Sequence, residues 1–369
     1  MGNRFGNILI ISLQGLGDLL LTTPLLHGLK SAYPASKLTV LTFEANRDIL
    51  NDNQDVDEIV VFEKAQKENI FKILNLTGKI RNRHFDLAIC AYPSGLRSAF
   101  IAYLGGVSER LGQGLSQFKG LGWLFTRQVP ITEIKHAVLM NMDFLKLLDV
   151  APKEARPEVK LHVSDRDLKF ARDFLRSNGI TESDLVVAIH AGGGELTAAY
   201  RNWPLDRFAK VADALAERYK AKIIFIGGRD DESSVTIVTK AMKQKALVAT
   251  GQMSLGQTAA LLTEVKLLLC NNSGPMHIAA ALNVRTVSIF GSADQRIHRP
   301  WGEGHVVLQN PLECSPCYYP TFRDTLEETK RKTSWVGKRF KCRAGDYRCL
   351  TSITTDQVVE AVGRIIEGT

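Results

Sequence analysis

The loop Ser12-Leu-Gln-Gly-Leu-Gly-Asp18 follows a short apolar segment and carries residues suited to chemistry. Gly15 and Gly17 let the backbone turn sharply and let a ligand approach closely. A dinucleotide-binding fingerprint would need a third glycine at position 20, where the chain has leucine, so the loop does not match it. The carboxylate of Asp18 can serve as a general base, or it can cap the helix that follows. From spacing alone we favour the cap.

A second candidate site is the segment Asn271-Asn-Ser-Gly-Pro-Met-His277, between an apolar segment and a predicted helix. Small and hydroxyl-bearing residues that open a helix leave backbone N–H groups at its positive end, where phosphate binds well. Pro275 suits the first helical turn, and His277 adds a donor that can carry positive charge. The alternative is an ordinary Asn/Ser cap with a partly exposed histidine. The order of strand, Ser-Gly-Pro-x-His and helix favours the phosphate site.

Two further loops combine glycines with charged residues. Gly192 and Gly193 belong to a Gly-Gly-Gly-Glu loop that precedes Tyr200-Arg-Asn-Trp-Pro204. Arg201, just before a predicted helix, can offer a fixed cation to a diphosphate, although an exposed arginine is equally ordinary there. The carboxylates of Gly227-Gly-Arg-Asp-Asp-Glu232 can bond ribose hydroxyls, or they can simply favour the first turn of a helix.

Four of the six cysteines cluster late in the chain, as Cys314-x2-Cys317 followed by Cys342 and Cys349. Four thiolates at compatible distances can hold zinc or iron tetrahedrally, although this spacing is looser than in a zinc ribbon. Free cysteines and a redox-sensitive pair are the alternatives, and we weigh them equally with a metal. Any metal here is expected to be structural rather than catalytic.

These cysteines lie in a basic region at 311–350. Nine Lys/Arg and four Asp/Glu occur from Arg323 to Arg348. This excess of positive charge can attract anionic lipid head groups or a phosphorylated lipid A acceptor at the inner membrane, and a solvated loop is the alternative. Interleaved aromatic residues also permit nucleic-acid binding. Because no nucleic-acid-binding fold is recognised, we expect no such partner.

Alternating strand and helix patterns must position these loops. Strands are predicted at 7–12, 38–42, 59–62, 86–90, 185–189, 222–226, 267–270 and 286–290, and helices include 24–33, 66–83, 204–219, 232–243, 255–263 and 273–282. Short β-branched segments that alternate with helices predict βαβ units on parallel sheets.

The two sets of units predict an α/β fold of two Rossmann-like, doubly wound domains. They are divided near the polar stretch 151–159, so we place the domains at 1–160 and 161–353. Ligands in this architecture bind beyond the carboxyl ends of the strands, here facing a cleft between the domains. A final helix at 354–369 is expected to pack back across both.

Composition agrees with a globular protein. The 369 residues are 45% hydrophobic and 23% charged, which excludes a wholly disordered, collagen-like or coiled-coil chain. The net charge of +8 favours anionic partners such as nucleotides. No membrane-spanning segment or secretory signal is apparent, so we expect a cytoplasmic protein. No H-E-x-x-H, Walker A or G-x-S-x-G motif supports zincin, P-loop or α/β-hydrolase chemistry.

Taken together, these motifs resemble glycosyltransferase family 9, the heptosyltransferases of lipopolysaccharide core synthesis. The matching pieces are GLGDLLLTTPLLHGLK at 15–30, RNWPLDRF at 201–208, NSGPMHIAAAL at 272–282 and CSPC at 314–317. They occur in the family's order and cover nearly the whole chain.

The resemblance implies a GT-B fold, with the acceptor bound by 1–160 and a nucleotide sugar by 161–353. It implies an inverting, metal-independent transferase that moves L-glycero-D-manno-heptose from ADP-heptose to a lipopolysaccharide core or lipid A acceptor, without a catalytic cofactor. Such an enzyme would contact the cytoplasmic face of the inner membrane. Asp18 would deprotonate the acceptor hydroxyl. The residues that would bind the donor are Arg201, Glu232, Asn272, Ser273, Gly274, Met276 and His277.

The chain departs from the family pattern at two positions. Asn272 stands where these heptosyltransferases have aspartate, and Arg201 where lysine is more frequent. A neutral amide accepts sugar hydroxyls less strongly than a carboxylate, so the donor sugar depends on this position, with heptose the leading prediction. The alternatives are a nucleotide-sugar epimerase on the same fold, which would need more acid/base side chains, and a basic nucleic-acid-binding module.

Overall fold

The computed structural model describes residues 4–63, 70–114, 120–151, 157–192, 201–318, 335–336, 339–340, 342 and 344–368. The described residues up to His162 form one compact unit, and those from Val163 onward form a second. The sequence places this boundary between residues 160 and 161.

The first unit is built on a six-stranded parallel sheet. Its strands are β1 (Asn7–Ser12), β2 (Lys37–Phe43), β3 (Glu58–Phe62), β4 (Leu87–Cys90), β5 (Glu109–Gln113) and β6 (Arg127–Val129). Its helices are α1 (Leu16–Leu20), α2 (Thr23–Ala32), α3 (Ile70–Arg81), α4 (Leu96–Leu104) and α5 (Ala137–Leu147). The spatial order β3-β2-β1-β4-β5-β6 reverses between β1 and β4.

The second unit repeats this plan on another six-stranded parallel sheet, in the order β12-β11-β10-β7-β8-β9. Its strands are β7 (Val186–His190), β8 (Lys222–Phe225), β9 (Ala246–Val248), β10 (Leu267–Asn271), β11 (Arg285–Ile289) and β12 (Val306–Leu308). Its helices are α6 (Asp165–Ser177), α7 (Leu205–Tyr219), α8 (Glu232–Ala241), α9 (Leu255–Thr263), α10 (Gly274–Ala281), α11 (Gln295–His298), α12 (Arg348–Thr351) and α13 (Thr355–Glu367). A small antiparallel hairpin pairs β13 (Trp335–Val336) with β14 (Arg339–Phe340).

The predicted fold class, two doubly wound Rossmann-like domains, is confirmed, because both sheets have this fold's characteristic strand order. All eight predicted strands are present within a residue or two of their predicted ends. The sequence analysis missed β5, β6, β9 and β12. β6, β9 and β12 are only three residues long, too short to stand out as strands, although β9 (Ala-Leu-Val) and β12 (Val-Val-Leu) are apolar. β5 has the mixed sequence Glu-Arg-Leu-Gly-Gln, which carries no run of apolar residues.

The final predicted helix is α13, and it belongs to the core of the second unit. Thr354 caps it by accepting the N–H of Gln357 at 3.2 Å, while the Gln357 side chain accepts the N–H of Thr354 at 2.9 Å. The helix packs on α7 and β11, with the apolar side chains of Val358 and Ile365 buried against that core. Its expected packing across both domains stays a prediction. Among the described residues no helix has the length and apolarity needed to cross a membrane.

The contribution of α13 to stability can be measured by truncating one of its core side chains. Ile365 is 5% exposed, so Ile365→Ala is expected to lower the free energy of unfolding by about 2–5 kcal/mol. The same change at Ile237, which is 55% exposed on α8, should alter it by less than about 0.5 kcal/mol. Urea denaturation followed by circular dichroism compares them, and equal losses would show that α13 is not a core element.

Candidate functional site

Asn271 connects two loops at the carboxyl edge of the second sheet. It ends β10, which neighbours β7 at the reversal of strand order, the place where ligands bind in this architecture. Its buried Oδ1 accepts the N–H of Trp203 at 2.9 Å, and its Nδ2 donates to the carbonyls of Ala191 and Gly192 at 3.2 and 3.3 Å. One fully buried amide therefore joins the loop after β7 to the loop before α7.

Beside Asn271, three side chains form a chain of polar contacts centred on His190, the last residue of β7. His190 is 3% exposed, and its Nδ1 lies 3.1 Å from the Oγ of Ser273. Its Nε2 lies 3.2 Å from Oδ2 of Asp231. The same oxygen accepts the N–H of Gly228 at 2.9 Å. Burial makes each of these contacts important, since an unpaired polar group here would lose its hydration without replacement.

Two glycines make room for the Asp231 carboxylate. A Cβ atom at Gly192 would lie 1.9 Å from Oδ1 of Asp231, and one at Gly227 would lie 2.6 Å from Oδ2. Gly227 also has a φ of +148°, which other residues rarely adopt. Of the predicted loop glycines, Gly192 is therefore required by the Asp231 side chain beside it. Gly193 lies outside the described residues.

The helix after β10 opens in the manner expected for an anion site. Ser273 is the N-cap residue of α10 but makes no capping hydrogen bond with its side chain, which contacts His190 instead. Gly274 and Pro275 begin the helix, and His277 lies buried in its first turn. The N–H groups at the positive end of α10 therefore receive no side-chain cap from Ser273.

Two other predicted donor residues lie just before and within this helix. The backbone N–H of Asn272 donates to the carbonyl of Ile289 at 3.2 Å, and the residue is half-buried. Met276 is completely buried among the core residues. The donor-binding roles of both residues stay predictions.

Arg201 is positioned by the aromatic residues around it. Its guanidinium lies 5.2 Å from the ring centroid of Tyr318, a cation–π distance. Its Nε is buried and makes no hydrogen bond to any part of the chain that the structure describes. Nearby, Trp203 is fully buried and donates its Nε1–H to the carbonyl of Ile353 at 3.0 Å, so the loop that carries Arg201 is anchored to the segment before α13.

Of the three consecutive acidic residues after β8, Asp230, Asp231 and Glu232, Asp231 joins the buried chain of contacts. Glu232, the predicted ligand of the nucleoside, is exposed and lies over Gly251, where a Cβ atom would be 2.0 Å from its Oε1. Asp231 was considered in the sequence analysis only among the carboxylates of 227–232 that can bond ribose, and His190 was not considered. A polar residue that ends the apolar strand Val-Val-Ala-Ile-His was the available signal.

In the first unit, the predicted base Asp18 lies in α1 just beyond β1. Its Oδ2 accepts the N–H of Gly15, the N-cap residue, at 3.1 Å, so the carboxylate does cap this helix. Asn141 on α5 holds the neighbouring loops as Asn271 does in the second unit. It accepts the N–H of Tyr92 at 2.8 Å and donates to the carbonyl of Leu21 at 3.2 Å.

The cysteine cluster lies next to the carboxyl end of β11. The hydroxyl of Ser315 donates to the carbonyl of Gly291 at 2.7 Å, and the N–H of Cys317 donates to the carbonyl of Ser292 at 2.8 Å. Burial, together with the charges that the other thiols Cys317, Cys342 and Cys314 would carry, raises the pKa of Cys349 to about 12. Within the described ranges, no group of three or more potential ligands has the arrangement of a metal site. The basic residues of 319–334, 337–338, 341 and 343 lie outside those ranges.

Comparison with known proteins gives one consistent result. The sequence model of glycosyltransferase family 9 (heptosyltransferase) matches residues 73–324. Lipopolysaccharide heptosyltransferase 3 of Escherichia coli strain K12 is 26% identical over 294 residues, which cover 78% of this chain and 83% of that protein.

Solved structures agree with the fold. A glycosyl transferase family 9 protein from Veillonella parvula DSM 2008 has a TM-score of 0.80 and 25% identity, with 99% of this chain and 98% of that chain covered. The E. coli heptosyltransferase WaaC with ADP has a TM-score of 0.69 and 18% identity over 98% of this chain and 99% of that chain. The similarity to these proteins, whose fold is GT-B, confirms the predicted fold class.

The packing around Asp231 predicts that alanine lowers the stability of the protein at Gly192 but not at Gly228. Gly192→Ala should displace the Asp231 carboxylate from His190 and lower the free energy of unfolding by about 1–3 kcal/mol. A Cβ atom at Gly228 would meet nothing within 4 Å, so Gly228→Ala should change it by less than about 0.5 kcal/mol. Denaturant unfolding distinguishes the two, and a loss from Gly228→Ala as large as that from Gly192→Ala would contradict the described packing.

Proposed function

This chain belongs to glycosyltransferase family 9 and is a glycosyltransferase, and on that basis we propose that it transfers L-glycero-D-manno-heptose from ADP-heptose to a sugar of the lipopolysaccharide inner core. The transfer inverts the anomeric configuration and needs no metal ion. The name of the E. coli relative, a lipopolysaccharide heptosyltransferase, supports the acceptor class, and the WaaC structure with ADP supports the nucleotide.

The observation that carries the proposal is the uncapped start of α10 at the edge of the second sheet. A nucleoside diphosphate is strongly anionic, and a helix N-terminus that presents backbone N–H groups binds such an anion. Ser273 and Gly274 open this helix, His277 lies in its first turn, and Arg201 supplies a guanidinium held on Tyr318. These groups are suited to stabilise the charge that develops on a departing ADP.

On the acceptor side, Asp18 takes the proton of the attacking sugar hydroxyl. The freed oxygen forms a bond to the anomeric carbon of the donor while the bond from that carbon to the terminal phosphate oxygen breaks, and ADP leaves with the electron pair. One displacement of this kind inverts the anomeric centre. The capping bond to Gly15 is compatible with the role, because a carboxylate has two oxygens with about four acceptor positions and the cap fixes its orientation.

The nucleoside and the sugar are assigned to two residues at the rim of the same site. Asp231 is engaged with His190, so the exposed carboxylate of Glu232 is the better candidate for the ribose hydroxyls. The half-buried Asn272 would face the donor sugar through a neutral amide. The proposal also includes a peripheral contact between the basic region 311–350 and the cytoplasmic face of the inner membrane.

The base assignment is tested by Asp18→Asn, which preserves the shape and the acceptor oxygen for Gly15 but removes proton abstraction. Transfer from ADP-heptose to a truncated lipopolysaccharide should fall by about 10²–10⁴-fold, while the Kd for ADP stays within about twofold. Product formation is followed by mass spectrometry in the presence of EDTA, which should not slow the unmodified enzyme.

The matched control is Asp165→Asn, at an exposed aspartate in the first turn of α6, and it should transfer normally. Full activity of Asp18→Asn would remove Asp18 from the mechanism. Loss of ADP binding together with activity would instead indicate that Asp18 supports the fold or the donor site.

We also propose that Cys314, Cys317, Cys342 and Cys349 bind one structural zinc or iron ion. Burial, and after it the charges of the other three thiols, raise the pKa of Cys349, which supports a shared site in which a cation would relieve the repulsion among thiolates. Because the raised pKa keeps Cys349 protonated at neutral pH without a cation, binding should release protons.

Metal analysis by inductively coupled plasma mass spectrometry tests this site. The protein purified without chelators should contain about one zinc or iron per chain, and Cys349→Ser should lose the metal and melt at a lower temperature. Cys90→Ser alters a thiol buried in the first sheet and should keep the metal. A metal-free unmodified protein would refute the proposal.

A further inference from the structure

The hydroxyl of Ser273 has an unusual partner for an N-cap residue. An N-cap serine ordinarily accepts an N–H from its own helix, but Ser273 contacts Nδ1 of His190 at 3.1 Å and makes no such capping bond. The protonation state of His190 therefore decides whether the Ser273 hydroxyl donates its hydrogen to Nδ1 or accepts a hydrogen from it. This matters because the hydroxyl can bind a phosphate oxygen only when its own hydrogen is available.

Asp231 determines which nitrogen of His190 carries a proton. An ionised carboxylate only accepts hydrogen bonds, so the Nε2 atom 3.2 Å from Asp231 Oδ2 is the donor. In a neutral imidazole Nδ1 is then an acceptor, and the Ser273 hydroxyl must donate to it. In the imidazolium form Nδ1 also donates, so the Ser273 oxygen accepts that bond and its hydrogen can turn to another acceptor.

We propose that His190 is a positioning residue that orients the Ser273 hydroxyl toward the donor diphosphate by becoming doubly protonated, so that nucleotide binding takes up a proton. The inference rests on the proposed function in one respect, which is that a nucleoside diphosphate binds at the start of α10. Asp231 stabilises the resulting cation from the other side, and the phosphate charge adds to that stabilisation. Neither His190 nor Asp231 needs to touch the substrate.

Other titratable groups also lie on the elements around His190, and among them His277 is the alternative site of proton uptake. Cys270 is its direct neighbour on β10, but burial raises the pKa of that thiol and keeps it neutral. His277 lies in the first turn of α10, and Asp231 lies in the turn after β8. The neighbouring strand β8 ends in Ile-Ile-Phe and contributes no charge at this end. The experiment must therefore distinguish His190 from His277.

Calorimetric titration with ADP in buffers of different ionisation enthalpy measures the proton uptake directly. About pH 8 is suitable, because the terminal phosphate of ADP is then ionised and contributes little, its second pKa being about 6. The unmodified protein should take up a large fraction of one proton per ADP. Since the protonated form binds, the affinity should fall as the pH rises, by up to about tenfold per pH unit.

His190→Asn is the diagnostic variant. Its amide nitrogen lies near the position of Nδ1 and donates to Ser273 at every pH, so ADP should bind without proton uptake and with an affinity independent of pH. Asp231→Asn, which keeps the shape that Gly192 and Gly227 surround, should bind ADP at least threefold more weakly with reduced uptake. His84→Asn changes an exposed histidine of the first unit, at a positive φ that asparagine tolerates, and should match the unmodified protein.

The results separate this inference from the proposed function. Binding of ADP by the unmodified protein with no proton uptake overturns the role of His190 and leaves the ADP site intact. Equal uptake by His190→Asn also overturns it and points to His277. Absence of ADP binding by the unmodified protein contradicts the proposed function itself. The measurements on the unmodified protein stand even where a variant fails to fold.

Discussion

Two parallel strands that end side by side leave backbone and side-chain polar groups facing one another, and each buried group must find a partner. The amide of Asn271 meets this requirement in the second unit, where it joins the loops carrying Gly192 and Trp203. The first unit has the same solution in Asn141. Because these loops are held at the sheet edge, the side chains on them can be placed accurately, and the candidate site depends on that placement.

The polar groups at this edge form a continuous line of contacts. Asp231 is buried in a space that only glycine leaves open, His190 lies between it and Ser273, and the start of α10 follows. A carboxylate so close to a phosphate site would repel the ligand if it stood alone. His190 lies between this carboxylate and Ser273, so the carboxylate contacts the imidazole rather than the phosphate site. The segment that carries Cys314 and Cys317 also contributes to the site, because the ring of Tyr318 contacts the guanidinium of Arg201.

Much of this could be predicted from local patterns. The apolar strands occur where they are predicted, the Ser-Gly-Pro-Met-His segment follows the end of β10, and the loop of Arg201 precedes α7. The contacts of His190 could not be predicted, since its partners are 41 and 83 residues away and no local period marks them. Asp231 and Glu232 are adjacent acids, and only tertiary packing buries the first and exposes the second. β6, β9 and β12 were missed because each is only three residues long, and β5 because its sequence is mixed.

The central claim is that the edge of the second sheet holds a nucleoside diphosphate without a metal. Equilibrium titration of the protein with ADP, UDP, GDP and NAD, in buffer free of divalent ions, tests it most directly. The account predicts saturable one-to-one binding of ADP and at least about tenfold weaker binding of the others, a difference of about 1.4 kcal/mol. Preference for UDP or GDP would contradict the ADP-sugar assignment, and no binding to any of the four would contradict the site.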